Sequence, residues 1–251
     1  IHALQEIPIQ AYSNILTLYP GLTDQEEFDS LAVQKRYPTL FDFLAQRALS
    51  FFTTASYPVL RSTTGFQPSM EAFFAPSSKF IQYPLKPQGI RALPGEGPFS
   101  PSGTDTLSLP WYALRIFQEL ERFHFNNKDP QALIQVFLQR LAYMEQQASA
   151  EFRSEWYKQS LETALTEYAY SPASAEIAVT LARFLMREPY TTHQEPRMTS
   201  GETESSRWNL KQALDICTQT VDRYPDTPGG KTCASLIREI MAPSITIETE
   251  E

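Results

Sequence analysis

Apolar residues recur at helical spacing in one segment after another, and that period restricts the fold of this chain more than any other feature. Phe41, Leu44, Ala45, Ala48, Leu49 and Phe52 fall at i, i+3, i+4, i+7, i+8 and i+11, the stripe of an amphipathic helix. Thr39, with Asp42 three residues later, supplies a capping-box-like start. Trp111, Leu114, Phe117 and Leu120, widened by Ile116 and Phe123, mark another helix that turns at Asn126 and Asn127. Asp129 and Pro130 then offer an N-cap and first helical residue to a helix whose apolar face is Leu133, Val136, Phe137, Leu141 and Met144. The expected class is all-α.

The second half of the chain repeats this grammar in pairs. Tyr157, Leu161, Ala164, Leu165 and Tyr168 form one stripe; a Ser171-Pro172 turn and Ser174 as N-cap lead to Ile177, Leu181, Phe184 and Leu185. Leu210, Ala213, Leu214, Cys217, Val221 and Tyr224 follow, then a turn from Pro225 to Gly230, then Cys233, Leu236, Ile237 and Ile240. Short connections of this kind join antiparallel helices. Laid side by side, the pairs align Tyr168 with Tyr224, Pro172 with Pro228, Ala178 with Ala234 and Leu181 with Ile237 at one constant offset. The pattern resembles tetratricopeptide-like hairpins, irregular because the spacing exceeds the standard repeat and a polar loop from Pro189 to Ser205 intervenes. Tyr168, Tyr224 and either Trp156 or Tyr157 are expected in the core of these hairpins.

Residues 1–243 are therefore expected to form one helical domain, with further helices around Leu4 to Leu18 and Glu26 to Lys35. The stretch 56–110 lacks a sustained period and is rich in Pro, Ser and Phe, an extended excursion laid over the helices. Its aromatics Phe66, Phe73, Phe74, Phe80 and Tyr83 form a candidate interaction patch, although burial as a cover for the core weighs about twice as heavily. Residues 244–251 alternate Ile245 and Ile247 with Thr246 and Glu248, strand grammar that suggests the start of a β-domain or a linker.

The formal net charge of -8 sets the chain's own field against phosphate backbones, so nucleic acid is not expected as a partner. No apolar run reaches the roughly 18–20 residues of a membrane helix. No stretch reads as a signal peptide either, and since the chain begins at Ile1, a targeting segment upstream of it is compatible with the sequence. The histidines His2, His124 and His193 are scattered and none has a second ligand at helical spacing, so neither metal nor cofactor is expected. His124, near a helix end, is explained by the helix dipole. Glu119, Glu121, Glu162 and Glu167 fit solvated helix faces better than paired-carboxylate catalysis. With no nucleophile elbow and no phosphate-binding glycine loop, the chain is expected to be no enzyme. Cys217 and Cys233, on facing flanks of the last hairpin, are compatible with a disulfide or with two buried reduced thiols.

Several phrases resemble one family: Tyr37-Pro38-Thr39-Leu40-Phe41-Asp42-Phe43-Leu44-Ala45, then Arg47-Ala48-Leu49, Ala213-Leu214-Asp215-Ile216-Cys217, and Arg223-Tyr224-Pro225 leading to Cys233. Together they resemble the helical N-terminal region of the large alpha-2-macroglobulin-like proteins of Bacteroidetes. The resemblance implies a scaffold segment of a larger protein in the cell envelope, periplasmic or outer-membrane-anchored, with protease trapping or defence as the parent's role. It also implies neighbouring macroglobulin-type β-domains as partners and tips Cys217 and Cys233 towards a disulfide. The family's thioester motif, Cys-X-Glu-Gln, matches neither cysteine, because Thr218 and Ala234 are followed by Gln219-Thr220 and Ser235-Leu236. The alternative is a free-standing tetratricopeptide-like adaptor that binds peptides or proteins.

Overall fold

A computed structural model describes residues 39–54, 71–85, 109–147, 150–187 and 201–242. The expected helices before residue 39, Phe66 with the rest of the excursion outside 71–85, and the terminal strand all lie outside the described residues. Within them the chain is helical: α1 (Leu40–Thr54), a 3-10 turn (Glu71–Phe73), α2 (Ser77–Phe80), α3 (Leu109–Asn126), α4 (Pro130–Gln147), α5 (Ala150–Glu167), α6 (Ser174–Arg187), α7 (Gly201–Arg223) and α8 (Pro228–Met241). It divides into two compact units, Ile1–Ser149 and Ala150–Glu251.

In the first unit α3 is central, packing against α1, α2 and α4. The capping box at the start of α1 forms as its sequence requires: Thr39 Oγ1 accepts from the Asp42 amide at 3.2 Å, and Asp42 Oδ2 accepts from the Thr39 amide at 3.0 Å and its hydroxyl at 2.7 Å. The apolar stripe of α1 is rotated from the expected one, since Leu44 is 41% exposed whereas Phe43 is buried with the Arg47 guanidinium 5.5 Å from its ring. Between α3 and α4 the chain reverses in a Schellman turn. The amides of Asp129 and Lys128 donate to the carbonyls of His124 and Phe125, and Lys128 takes a left-handed φ of 54°. Asp129 Oδ1 then caps α4 by accepting from the amides of Gln131 and Ala132, each at 3.1 Å.

In the second unit α6 is the hub, packed against α5, α7 and α8, and α7 packs on α8. Its buried residues Ile177, Ala178, Leu181, Ala182 and Leu185 leave little polar surface on any side that meets a neighbour. Helix α7 begins at Gly201, several residues inside the expected polar loop. The expected turn from Pro225 to Gly230 is shorter than its glycines suggested. Thr227 is the N-cap, its Oγ1 accepting from the Gly230 amide at 2.9 Å, and Pro228, Gly229 and Gly230 belong to the first turn of α8. These glycines serve close packing instead. A Cβ on Gly229 would stand 2.6 Å from the Ala175 carbonyl carbon, and one on Gly230 would stand 2.0 Å from the Tyr224 oxygen.

The aligned tyrosines divide their roles. Tyr157 and Tyr168 are buried core residues, as expected of this hairpin. Tyr224 is only half-buried, a correction to its expected core position: its ring remains at the boundary while its hydroxyl donates to the Ala169 carbonyl at 2.8 Å. That bond ties the end of α7 to the turn after α5. The residue at the aligned position thus links one hairpin to the other.

Candidate functional site

The polar chemistry of the first unit is concentrated in its interior. Helix α4 presents Leu133, Val136, Phe137, Leu141 and Met144 on one face, and Arg140 lies on that same face with no exposed surface. Facing it from α3 is Glu121, also without exposed surface. Arg140 Nε donates to Glu121 Oε1 at 2.6 Å and Nη2 to Oε2 at 3.3 Å, a two-pronged ion pair. Nη1 donates to the Phe73 carbonyl and Nη2 to the Ala75 carbonyl at 2.8 Å, and the guanidinium lies 3.9 Å from the centre of the Phe80 ring. A buried ion pair is tolerated when its remaining donors are satisfied, and this one spends its spare donors on main-chain carbonyls.

Helix α3 extends the same pattern along the 71–85 segment. Gln118 Nε2 donates to the carbonyls of Phe80 and Tyr83, at 3.0 and 2.7 Å, and Arg122 Nη2 donates to that of Ile81 at 2.9 Å. An irregular segment lacks the carbonyl partners that a sheet or long helix would provide, and each buried one must find another. Here α3 and α4 supply them from side chains. The arrangement is a polar clamp, with Phe73, Phe74 and Phe80 buried inside it and Tyr83 half-buried in edge-to-face contact with Phe73. These four residues of the candidate interaction patch thus meet α3 and α4 or each other, and the first three present no surface to a partner.

A second buried pair joins the first turn of α1 to the last turn of α3. Asp42 Oδ2 is engaged by Thr39, and its Oδ1 accepts from His124 Nε2 at 2.8 Å, with both side chains 3% exposed. The His124 carbonyl accepts from Asp129 in the Schellman turn, so one residue is fixed by both its backbone and its ring. A cavity of about 30 Å³ adjoins the pair, lined by Asp42, Gln46, His124, Ala132, Gln135, Val136 and Gln139. That space suits a water molecule or two and is far below the roughly 300 Å³ at which small-molecule sites begin. Its lining holds an acid and an imidazole but no hydroxyl or thiol nucleophile.

In the second unit the notable groups are Cys217 on α7 and Cys233 on α8, both buried and both free thiols. Their side chains are hydrogen-bonded to each other, which raises Cys217 far above the ordinary thiol range and lowers Cys233. Of the other singled-out residues, Glu119 receives Arg115 at 2.8 Å and Arg122 at 2.7 Å, and Glu162 receives Gln212 at 3.2 Å. Glu167 is exposed, while His2 and His193 lie outside the described residues. Glu121 corrects the expectation of a solvated face.

No family model, curated protein or solved structure matches this chain. Among the described residues no helix is long and apolar enough to cross a membrane, and no group of three or more His, Cys, Asp or Glu side chains could hold a metal ion. The clamp itself had a sequence signal that the apolar period passed over. Arg140 sits four residues after Val136 and three after Phe137, and Glu121 four after Phe117, so each charge falls on an apolar stripe.

Proposed function

We propose that this chain is a non-catalytic helical scaffold whose hairpins carry an ordered, irregular segment and present surfaces to neighbouring domains or protein partners. One observation carries the reading: the interior side chains best suited to chemistry, Arg140, Glu121, Gln118, Asp42 and His124, are engaged with one another or with main-chain carbonyls. A catalytic group must instead face a space that admits a substrate, and the cavity beside Asp42 and His124 is about 30 Å³. The α5–α8 hairpins are read here as tetratricopeptide-like, supported by the Tyr224 bond to Ala169 at the repeated register. Their placement in a larger envelope protein of the alpha-2-macroglobulin-like kind rests on the resemblance of the phrases around Tyr37 to Ala45 and Ala213 to Cys217.

A broad hydrolase, transferase and redox screen of the purified chain tests the first part. The expected result is no turnover above background; turnover lost in a folded Asp42→Asn variant would defeat the scaffold reading. The parent gene tests the second part, since macroglobulin-type β-sandwich domains encoded after Glu251 are expected from it. A stop codon close behind Glu251 favours instead the free-standing adaptor, a reading that the exposure of Tyr170 (70%) and Trp208 (66%) supports, because surface aromatics commonly anchor protein interfaces.

A further inference from the structure

The α7–α8 hairpin closes around its two cysteines. Cys217 and Cys233 have no exposed surface, and their thiols are in hydrogen-bonding contact across the seam between the helices. The hairpin is fixed at its turn by the Thr227 cap and by Gly230, whose missing side chain lets α8 start against the Tyr224 carbonyl. Thr220, one turn after Cys217, donates its hydroxyl hydrogen to the Ile216 carbonyl at 2.8 Å, and Glu176 and Arg183 are the charged groups of α6 that act on Cys233. Two sulfurs already in contact need only a small further approach to reach the roughly 2.05 Å of a disulfide.

We propose that Cys217 and Cys233 form a thiol–disulfide couple, which closes to an intramolecular disulfide by exchange with an oxidised small-molecule disulfide of the glutathione class and reopens with the corresponding thiol. Either cysteine can supply the attacking sulfur, because opening the hairpin frees both from their buried contact. With Cys233 first, on transient opening of the hairpin its thiolate attacks one sulfur of the small disulfide. Its S–S bond breaks, one small thiolate leaves, and a mixed disulfide forms on Cys233. Cys217 then gives its proton to solvent and attacks the Cys233 sulfur, the mixed S–S bond breaks, and the second small thiolate leaves. Two electrons pass from the cysteine pair to the small disulfide, which becomes two thiols. The product links α7 to α8 across their seam, so the oxidised hairpin opens less often than the reduced one.

The test uses the full chain, reduced and then equilibrated without oxygen in mixtures of reduced and oxidised glutathione of increasing ratio. After acid quenching, alkylation in denaturant and intact-mass measurement report the thiols. The expected result is a shift from two alkylated thiols to none with the loss of two hydrogens, the glutathione adduct remaining minor, and a higher melting midpoint for the oxidised form. In Cys217→Ser the resolving sulfur is absent, so a single glutathione adduct on Cys233 is expected to accumulate. Should that variant fail to fold, peptide mapping of the oxidised wild-type chain provides the same decision through a peptide joining α7 to α8. Two alkylatable thiols at every ratio, or two independent glutathione adducts per chain, would overturn the proposal.

Discussion

Arg140 is the residue whose removal should be felt most in the first unit. In Arg140→Met the volume of the chain is largely kept, but Glu121, without exposed surface, is left as an uncompensated carboxylate. Removing one member of a buried pair costs about 3–5 kcal/mol. The carbonyls of Phe73 and Ala75 lose their donors as well, and each orphaned buried group adds about 1–3 kcal/mol unless water enters beside it. The single substitution should therefore cost no less than about 3 kcal/mol, the lower edge of the pair penalty alone. The double variant Arg140→Met, Glu121→Leu separates the two contributions. It carries the same carbonyl penalty without the stranded charge, and should be more stable than the single variant by about 3–5 kcal/mol, the cost of a broken buried pair. Urea unfolding of the full chain, with hydrogen exchange read on peptides from α3 and α4, measures both. A single variant within about 1 kcal/mol of the parent, the ordinary size of one net hydrogen bond, or a double variant less stable than the single, would refute the clamp as described.

Four further outcomes follow from individual contacts. Tyr143 is 6% exposed and burial raises its phenol above the ordinary 10.0; the folded state holds that proton longer than the unfolded chain. Its stabilisation is present below about pH 10 and is lost as the pH rises beyond it, so Tyr143→Phe should flatten the alkaline fall in urea midpoint. Tyr224→Phe removes only the hydroxyl that donates to Ala169 and should lower stability by about 1 kcal/mol in thermal unfolding; an unchanged midpoint would show that this bond does not hold the two hairpins together. Gly230→Ala sets a methyl 2.0 Å from the Tyr224 oxygen and should cost about 3 kcal/mol or more in chemical denaturation, since overpacking here is against backbone. Lys128→Gly relieves the left-handed φ of 54° at the end of α3 and should raise the urea midpoint by an equivalent of about 0.5–1 kcal/mol, the left-handed penalty less the added entropy of glycine in the unfolded chain.

The all-α class and the main helix positions are legible in the order of residues because their causes are local. The stripe from Leu133 to Met144, the Asp129-Pro130 start of α4 and the Thr39–Asp42 capping box each depend on atoms within a turn or two along the chain, and each forms. Local rules also set the limits of that reading. Gly229 and Gly230 look like turn residues to a reader of spacing, yet they belong to α8, and what requires them is the approach of Ala175 and of the Tyr224 carbonyl. Glu121 looks like one more acid on a helix face until the partner that covers it is placed.

What the sequence alone determined is thus the helical class, the main apolar-striped helices from Phe41 onward and the caps at Thr39 and Asp129, all consequences of periodicity and of hydrogen bonds made close by. Only the tertiary structure decided which polar groups meet: Arg140 with Glu121 and with carbonyls 67 and 65 residues away, His124 with Asp42, and Cys217 with Cys233. It also decided that the Phe-rich segment 71–85 is gripped by α3 and α4 instead of offering its rings to a partner. The physical reason is that desolvation and charge pairing depend on what stands within a few ångströms in space, and an apolar period records which side of a helix is covered without recording what covers it.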